Sequence, residues 1–362
     1  MLTDQLIESI LARLPHLSIG VVGDLFLDQY LDLDHRLTEP SIETGLDAYQ
    51  VSGIRNSPGA AGTILNNLAA LGVGTIKILS FIGTDGRGYD VKQELLKRKI
   101  DITHLLETPL RKTPTYTKPM LSVANGLPRE LNRIDIRNRT ATPGDVQLFL
   151  LEELPKLWNS VDALLVLDQV SEPETGVITS LIRHKLSELG AEKPEKLLLA
   201  DSRELIVHFH NCWTKPNLSE CETAFGRGAE DEAITVDGES ELAVSALAIR
   251  LNRPVFCTMS EEGICLANTF ASSLDCVGNK RVETTMIPGY PVAGPIDIVG
   301  AGDSTSAGIA CAYAAGATMA QAGAFGNLVA SITVQQIGTT GIASPAQVRQ
   351  RWREVSSEDG VR

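Results

Sequence analysis

Residues 297–303, Asp-Ile-Val-Gly-Ala-Gly-Asp, place two glycines and a carboxylate where a loop is predicted to become a helix. The following residues, 304–311, are mostly small and predict a helix with a small-residue face. The N–H groups of residues 300–303 would then lie unpaired at the helix N-terminus, where free donors and partial positive charge suit a phosphate. Asp303 would stay ionised there and could accept a proton from an attacking hydroxyl. This pairing indicates phosphoryl transfer, although an Asp at a helix start is also commonly only a cap.

The heptad resembles the C-terminal signature of the ribokinase-like, or PfkB-type, carbohydrate kinases, which is commonly D-T-x-G-A-G-D. Only Ile298 departs from it, at the position that is usually Thr or Val. The resemblance implies ATP-dependent phosphoryl transfer to a hydroxyl of a sugar or sugar phosphate, with Asp303 as the base. The amides of Gly300, Ala301 and Gly302 would form the anion hole around the transferred group.

The composition limits what else the chain can bind. Its 362 residues carry a formal net charge of −13, and the clustered Lys and Arg that a nucleic-acid partner needs are not seen. An anionic substrate would therefore need Mg²⁺ and a few local cations. Residues 1–15 predict an amphipathic helix rather than a signal sequence, and no apolar run reaches membrane-spanning length. We expect a soluble, cytoplasmic protein that acts on a small molecule, with no nucleic-acid or membrane partner.

The cysteines do not point to a metal or redox site. The six of them lack C-x-x-C spacing, so we expect them to be reduced and structural. His208, His210 and Cys212 alternate and could put three ligands on one face, but only if the segment is a strand. No matching fourth ligand is evident, and packing without a metal is the favoured interpretation.

Apolar runs alternate with helical patterns along the chain, which indicates βαβ units. With 43% hydrophobic but only 5% aromatic residues, the core should be aliphatic, as expected for parallel strands between helices. We predict a single α/β domain over residues 1–362, with a doubly wound, mostly parallel sheet flanked by helices. Strands are predicted at 18–23, 75–82, 163–167, 196–200 and 255–259, and helices at 60–71, 87–98, 174–189, 240–251, 304–315, 319–336 and 345–352.

Two polar segments, about 29–57 and 112–136, interrupt this alternation. Both leave the sheet at strand ends, where open α/β sheets bind ligands, and both are longer than ordinary loops. We predict that they form a small β lid over the site. An exposed lid edge often needs covering, so a homodimer through the lid is a further hypothesis.

Two carboxylates and a glycine-rich turn near the N-terminus could bind a polyhydroxy ligand. Asp24 and Asp28 follow the first predicted strand and could accept hydrogen bonds from sugar hydroxyls, although a strand end with an Asx turn is the structural alternative. They resemble the family's first-strand motif, in which an Asp binds substrate. The turn at Gly59 is similar to the family's substrate loop P-G-G-A-A-N, but Ala60 replaces a Gly and Thr63 the Asn. The resemblance implies that these three residues contact the substrate.

A third glycine-containing turn lies between residues 83 and 88. Its spacing, Gly83, Asp85 and Gly88, resembles the family's G-x-D-x-x-G turn. An amphipathic helix is predicted to follow it. We assign this turn to architecture rather than chemistry.

Two motifs resemble parts of the family's nucleotide site. Asn217 and Glu220 match its N-x-x-E motif, and the carboxylate would organise Mg²⁺-bound water around the triphosphate. Any helix start can show the same pattern. Thr258, Ser260 and Gly263 match its T-x-G-x-x-G turn, except that Ser260 replaces a Gly.

Three further residues are assigned by the same resemblance. Asn327 and Gly338 match the positions where these enzymes hold the adenine and ribose. Asp297 could help to hold a monovalent cation, K⁺, near the anion hole. The Walker and dinucleotide-binding fingerprints are absent, which argues against a dinucleotide-dependent oxidoreductase.

Within the family, the pattern is most similar to that of heptose-phosphate kinases, on the basis of residues 39–44, 49–51 and 131–135. Lys118 and Arg133, with Arg129 nearby, could hold a substrate phosphate on an otherwise acidic protein. The alternative is that these side chains are surface charges of the lid, and the sequence leaves both interpretations open.

A catalytically silent, ligand-binding or regulatory protein of the same fold is the alternative function. The departures at Ala60, Thr63 and Ser260 motivate it. The presence of Asp303, both heptad glycines and the N-x-x-E motif favours the kinase.

Overall fold

The chain is organised around a large, mostly parallel sheet in the computed structural model, which describes residues 2–123, 128–226, 239–274, 280–338 and 340–358. The strands are β1 (Ser18–Gly23), β2 (Leu25–Leu33), β3 (Glu39–Pro40), β4 (Asp47–Ala48), β5 (Val51–Ala60), β6 (Thr75–Gly83), β7 (Asp101–Thr108), β8 (Thr115–Leu121), β9 (Arg129–Glu130), β10 (Ile134–Ile136), β11 (Ala163–Asp168), β12 (Leu198–Ser202), β13 (Trp213–Thr214), β14 (Val255–Thr258), β15 (Gly263–Leu274) and β16 (Lys280–Pro288). The helices are α1 (Asp4–Arg13), α2 (Ala61–Leu71), α3 (Gly86–Lys97), α4 (Gly144–Asn159), α5 (Ser180–Glu192), α6 (Leu218–Gly226), α7 (Glu239–Leu251), α8 (Ala301–Ala314), α9 (Met319–Thr333) and α10 (Pro345–Glu358).

Nine strands of the described residues form the large sheet, in the order β16-β15-β14-β13-β12-β11-β1-β6-β7. From β7 to β14 all neighbours are parallel, and β15 and β16 add an antiparallel hairpin at one edge. The order reverses at β1, so the carboxyl ends of the central strands face a topological switch point, where ligands of such sheets bind.

Helices cover both faces of this sheet, and the central strands alternate between the two cores. Val21 of β1 packs with α2, α8 and α9 on one face, whereas its neighbour Val22 packs with α4 and α5 on the other. Burial of both faces explains why these strands are near-continuous aliphatic runs. The predicted fold class, a mostly parallel sheet flanked by helices, is confirmed.

A second sheet, hereafter the small sheet, consists of β10-β8-β2-β5 with β9 paired to β8. Only Asp24 separates β1 from β2, so the chain runs directly from the centre of the large sheet into the small sheet. The segments 29–57 and 112–136 contribute most of it, and β3 and β4 form a separate short pair. Its function as a lid stays a prediction.

Helix α5 begins later than predicted, at Ser180 rather than at residue 174. Glu174 has a φ of 61°, which is incompatible with helix, and its carboxylate accepts a hydrogen bond from the Ser180 N–H at 2.9 Å. The residue expected inside the helix therefore caps it from outside. The condition for a metal site at residues 208–212, an extended strand, is not met, because a 3₁₀ turn spans Ile206–His208.

Among the described helices, none has the length and apolar content needed to span a bilayer.

Asp85 joins two distant segments, in keeping with the architectural assignment of its turn. One carboxylate oxygen accepts from the Gly88 N–H at 2.8 Å and caps α3, and the other accepts from the Thr113 N–H at 3.0 Å. The turn thus fixes the chain just before β8 enters the small sheet.

We predict that Asp85→Ala lowers the free energy of unfolding by about 1–3 kcal/mol, because a helix cap and a second acceptor are lost together. Urea denaturation followed by circular dichroism measures this loss. Asp145→Ala is the matched control, since Asp145 is an exposed acid in the first turn of α4. Equal losses in the two variants would contradict the assignment.

Candidate active site

The start of α8 forms the centre of the site. Gly300 is the N-cap residue and has a φ of 81°, the left-handed conformation that glycine adopts most readily. Within the described residues, no hydrogen bond takes up the N–H of Gly302 or of Asp303. The N–H of Ala301 instead donates to the Ile298 carbonyl at 3.1 Å, which corrects the expectation of a fully unpaired set. Since the Ala301 N–H is taken up within the loop, the N–H groups of Gly302 and Asp303 are the donors that remain for an anion.

The Asp303 carboxyl is half-buried beside these amides. Its pKa is raised to about 7: burial and then the Asp201 carboxylate raise it, while Lys215 and Arg203 act in the opposite direction. Asp303 is therefore only partly ionised at neutral pH, in contrast to the full ionisation expected from sequence. A pKa near the working pH is the property that favours a general base.

Lys215 is a buried cation that the sequence assignment left out. Its Nζ lies 2.9 Å from Asp201 Oδ2, and its side chain is 4% exposed. A Cβ added to Gly302 would lie 3.4 Å from that Nζ, so the ammonium group is next to the first turn of α8. Burial lowers the pKa of Lys215, but Asp201 first and then Asp303 and Glu220 raise it above its ordinary value. The sequence signal that could have identified Lys215 is its position directly after a buried strand and two residues before Asn217, where the N-x-x-E motif begins.

Asn217 and Glu220 cap helix α6 reciprocally. The Asn217 Oδ1 accepts from the Glu220 N–H at 2.9 Å, and Glu220 Oε2 accepts from the Asn217 N–H at 2.8 Å. Burial raises the pKa of Glu220, as does Asp201, whereas Lys215 lowers it. The cap therefore holds this carboxylate in the same electrostatic environment as Asp303.

The predicted nucleotide turn lies next to this cap. Thr258 pairs with Asn217 in a β-bridge, and both its N–H and its hydroxyl donate to the Pro216 carbonyl. Gly263 has a φ of 103°, and a Cβ there would lie 2.2 Å from the Ile287 carbonyl oxygen. The observed contacts of Thr258 and Gly263 are thus structural ones.

Asn327 and Gly338 also make structural contacts. The side-chain amide of Asn327 donates to the carbonyls of Ile287 and Pro288 at 3.2 and 3.1 Å and ties α9 to the end of β16. The Gly338 N–H donates to Asp297 Oδ2 at 3.0 Å.

Asp297 connects two loops. Its Oδ1 accepts from the Val299 N–H at 3.1 Å, while Oδ2 accepts from the Gly338 N–H. Its own N–H donates to the Val334 carbonyl at 2.8 Å. These three bonds hold the loop before α8 against the loop after α9.

A pocket extends from Asp303 to the small sheet. It contains Asp28, whose carboxylate lies 3.6 Å from Lys118 Nζ. Burial raises the pKa of Asp28, whereas the positive charge of Lys118 lowers it. Gly59 makes room for this carboxylate, because a Cβ at residue 59 would lie 2.5 Å from Asp28 Oδ2. Predicted residues that line the pocket are Asp28, Ala60, Thr63, Lys118, Arg133, Gly300 and Asp303.

Arg133 is held by its neighbours on the small sheet. It forms a bidentate pair with Asp135, at 2.7 and 3.0 Å, and its guanidinium lies 4.2 Å from the Tyr116 ring centre. Sequence reasoning missed Gln169, Arg203 and Thr340, which line the same pocket. They come from loops after β11, β12 and α9 that carry no recognisable motif.

Asp24 is not among the residues that line this pocket, and its assignment as a sugar-binding carboxylate stays a prediction. It is 3% exposed, and its oxygens accept from the N–H groups of Val177 at 2.7 Å and Gln169 at 3.4 Å. It lines a neighbouring cavity with Arg137 instead. Burial raises its pKa to about 6. Asp24 holds the loop after β11, and Asp28 is the carboxylate that faces the site.

Two residues that depart from the family pattern have backbone dihedral angles typical of glycine. Ala60 has φ 53° and ψ −119°, and Ser260 has a φ of 50°. Both replace a glycine of the family motif, so the turn geometry is kept at the expense of local strain.

Comparison with known proteins supports the resemblance seen in the sequence. Residues 199–347 match the pfkB family carbohydrate kinases. The chain is 28% identical over 347 residues to bifunctional protein HldE of Trichlorobacter lovleyi, in a match that covers 95% of this chain and 64% of that protein. The chain is thus similar to the pfkB family carbohydrate kinases over its C-terminal part and to HldE over most of its length.

Other PfkB-type relatives agree. Bifunctional protein HldE of Geobacter sulfurreducens is 26% identical over 344 residues, which is 94% of this chain and 64% of that protein. The chain thus spans 64% of the length of both curated relatives.

Solved structures show the ribokinase-like fold. Arabidopsis thaliana ribokinase complexed with ribose and ATP has a TM-score of 0.61 at 16% identity, over 92% of this chain and 98% of that one. Phosphofructokinase-2 of Escherichia coli in complex with potassium has a TM-score of 0.65 at 16% identity, over 94% and 99%.

We predict that Ala60→Gly raises the free energy of unfolding by about 1 kcal/mol, because glycine relieves the strain of a positive φ. Ala70→Gly, in the last turn of α2, should instead lower it by about 0.5–1 kcal/mol. Thermal and urea denaturation of the two variants measure both effects. A loss of stability in Ala60→Gly that equals the loss in Ala70→Gly would contradict the strained turn.

Proposed function

We propose that this chain transfers the terminal phosphoryl group of ATP to a hydroxyl of a sugar or sugar phosphate. One observation carries the proposal: the Asp303 carboxyl lies at one end of a pocket, in the same helix turn as unpaired amides of α8 and near the buried Lys215 ammonium. Asp28 and Lys118 line the same pocket on its other side. An acceptor hydroxyl and a phosphate can therefore be held side by side.

Each group has a role in the transfer. Asp303 accepts the proton of the attacking hydroxyl, which its raised pKa allows near neutral pH. The amides of Gly302 and Asp303, with Lys215, stabilise negative charge on the transferred group. Such reactions depend mainly on positioning and electrostatic stabilisation.

The charges near Asp303 favour Mg²⁺ as a companion of ATP. Three carboxylates, Asp201, Glu220 and Asp303, act on one another against only two cations, Lys215 and Arg203. Within the residues described, no group of three or more His, Cys, Asp or Glu side chains is arranged to hold a metal ion. Mg²⁺ commonly binds through one or two carboxylates, water and substrate phosphates, which fits Glu220 acting through water. The ion would neutralise charge on the phosphates.

A K⁺ requirement is the less supported part of the proposal. The solved phosphofructokinase-2 in complex with potassium supports it by fold alone. Asp297 lies in the loop that leads into α8, but both its carboxylate oxygens already accept amide hydrogen bonds.

Three cationic side chains line the pocket on a chain whose formal net charge is −13, namely Lys118, Arg133 and Arg203. Each has an acidic neighbour: Asp28 for Lys118, Asp135 for Arg133 and Asp303 for Arg203. Three cations at one pocket of an acidic chain support a sugar phosphate as acceptor. Heptose phosphates are the first to test, because the sequence pattern resembles that of heptose-phosphate kinases.

The catalytically silent alternative has no specific support. Ala60 and Ser260 both have a positive φ, the conformation that glycine adopts most readily, so both turns have a backbone that suits the glycine of the family motif. The homodimer stays a prediction. Ile54 and Ile134 of the small sheet are exposed, at 62% and 63%.

We predict that Asp303→Asn lowers kcat by about 10²–10⁴-fold, because the base for the acceptor proton is lost. ATP-analogue binding, measured by calorimetry, should persist. Asp145→Asn, a remote surface change, serves as the control for expression and folding. Turnover at the wild-type rate in Asp303→Asn would rule out this mechanism.

The pH profile tests the role of Lys215. Because Asp303 must be deprotonated to act, kcat/KM should rise with pH and level off above an inflection near its pKa of about 7. Lys215→Met should move that inflection to higher pH, since Lys215 lowers the pKa of Asp303.

Lys118→Met is the matched control for this shift. It should raise KM for the acceptor and leave the inflection in place, because Lys118 lies next to Asp28. Circular dichroism establishes that both variants fold. An unshifted inflection in folded Lys215→Met would contradict the assigned coupling.

A further inference from the structure

Two threonine methyl groups lie beside Gly300 on the face where a side chain would project. A Cβ added to Gly300 would lie 2.6 Å from Thr340 Cγ2 and 3.3 Å from Thr63 Cγ2. Thr63 belongs to the first turn of α2, on the acceptor side of the pocket, and Thr340 follows α9 on the other side. The space that a side chain at residue 300 would need is therefore filled by these methyl groups.

Gly300 is the position where the loop before α8 has most conformational freedom. On one side, Asp297 fixes the loop through the amides of Val299 and Gly338. On the other side, the Ser304 N–H donates to the Gly300 carbonyl at 3.0 Å and begins the helix. Between these anchors, a glycine with a φ of 81° could rotate and turn its peptide groups away from the pocket.

Both threonines line the pocket, so each offers it a hydroxyl as well as a methyl group. Thr63 is buried, at 5% exposure, and it stands where the family's substrate loop has an Asn. What the structure shows for both residues is the contact of a methyl carbon with Gly300.

We infer that Thr63 and Thr340 are positioning residues whose methyl groups hold Gly300 in the left-handed conformation that directs the first amides of α8 into the pocket. This inference rests on the proposed function, since the amides matter for catalysis only if a phosphoryl group is transferred there. It replaces the sugar-contact role expected for Thr63 from sequence. It also ties the geometry of the anion hole to two elements that lie on opposite sides of it.

Paired substitutions separate the methyl from the hydroxyl at each position. Thr63→Ser and Thr340→Ser keep the hydroxyl and remove the methyl, whereas Thr63→Val and Thr340→Val keep the methyl and remove the hydroxyl. We expect the Ser variants to lose roughly tenfold or more in kcat through misplacement of the amides, with KM for ATP and acceptor changed little. The Val variants should restore most of the wild-type kcat.

Amide hydrogen exchange of residues 300–304 gives a readout that does not require turnover, through the two hydrogen-bonded amides of this segment, Ala301 and Ser304. Exchange should be faster in the Ser variants than in the wild type and slow again in the Val variants. If the wild type phosphorylates no sugar or sugar phosphate, the proposed function fails, and the exchange rates still test the positioning role.

Two results would overturn the inference. Val variants that lose activity or acceptor affinity while the Ser variants retain them would show that the hydroxyls bind a ligand. Ser variants with wild-type exchange at residues 300–304 would show that the methyl contacts do not hold Gly300.

Discussion

Several of the parallel strands end in charged side chains that water hardly reaches. Each of these charges therefore needs a partner inside the protein. Asp168, at the end of β11, accepts a hydrogen bond from Ser202 at 2.8 Å. Asp201, near the end of β12, pairs with Lys215, which follows β13. Asp24, which follows β1, accepts backbone amides of the loop after β11. Because an unpaired buried charge would cost several kcal/mol, these partnerships dictate where the surrounding loops can lie.

The same constraint determines the proton affinity of Asp303. Its carboxyl is poorly solvated and lies in the field of Asp201, so its pKa rises, and Lys215 limits that rise. The ion pair of Lys215 with Asp201 therefore has two consequences. It satisfies two buried charges, and it leaves Asp303 able to exchange a proton in the neutral range.

Local sequence patterns predicted the central fold well because local physics controls it. The strand predicted at 18–23 is β1 with the same bounds, since an aliphatic run buried on both faces has few alternatives. The start of α5 was wrong, because the positive φ of Glu174 depends on the loop that wraps around Asp24. Lys215 was missed for a related reason: its partner Asp201 is distant in sequence and becomes a neighbour only when β12 and β13 pair. Sequence spacing also did not reveal that backbone amides of a distant loop donate to Asp24, whereas Asp28 lines the pocket.

The direct passage from β1 into β2 has a mechanical consequence. The small sheet is joined to β1 through a single residue, Asp24, and to α2 with no intervening residue, where β5 ends at Ala60. Both junctions lie at the same end of the β2–β5 pair, where Leu25 is opposite Ala60. At roughly 3.3 Å per residue, Asp28 lies about 13 Å from Asp24 along β2 and Leu33 about 30 Å. If the predicted lid rotates about these junctions, Asp28 would move less than half as far as the distant end of β2, and the acceptor carboxylate would stay close to the large sheet.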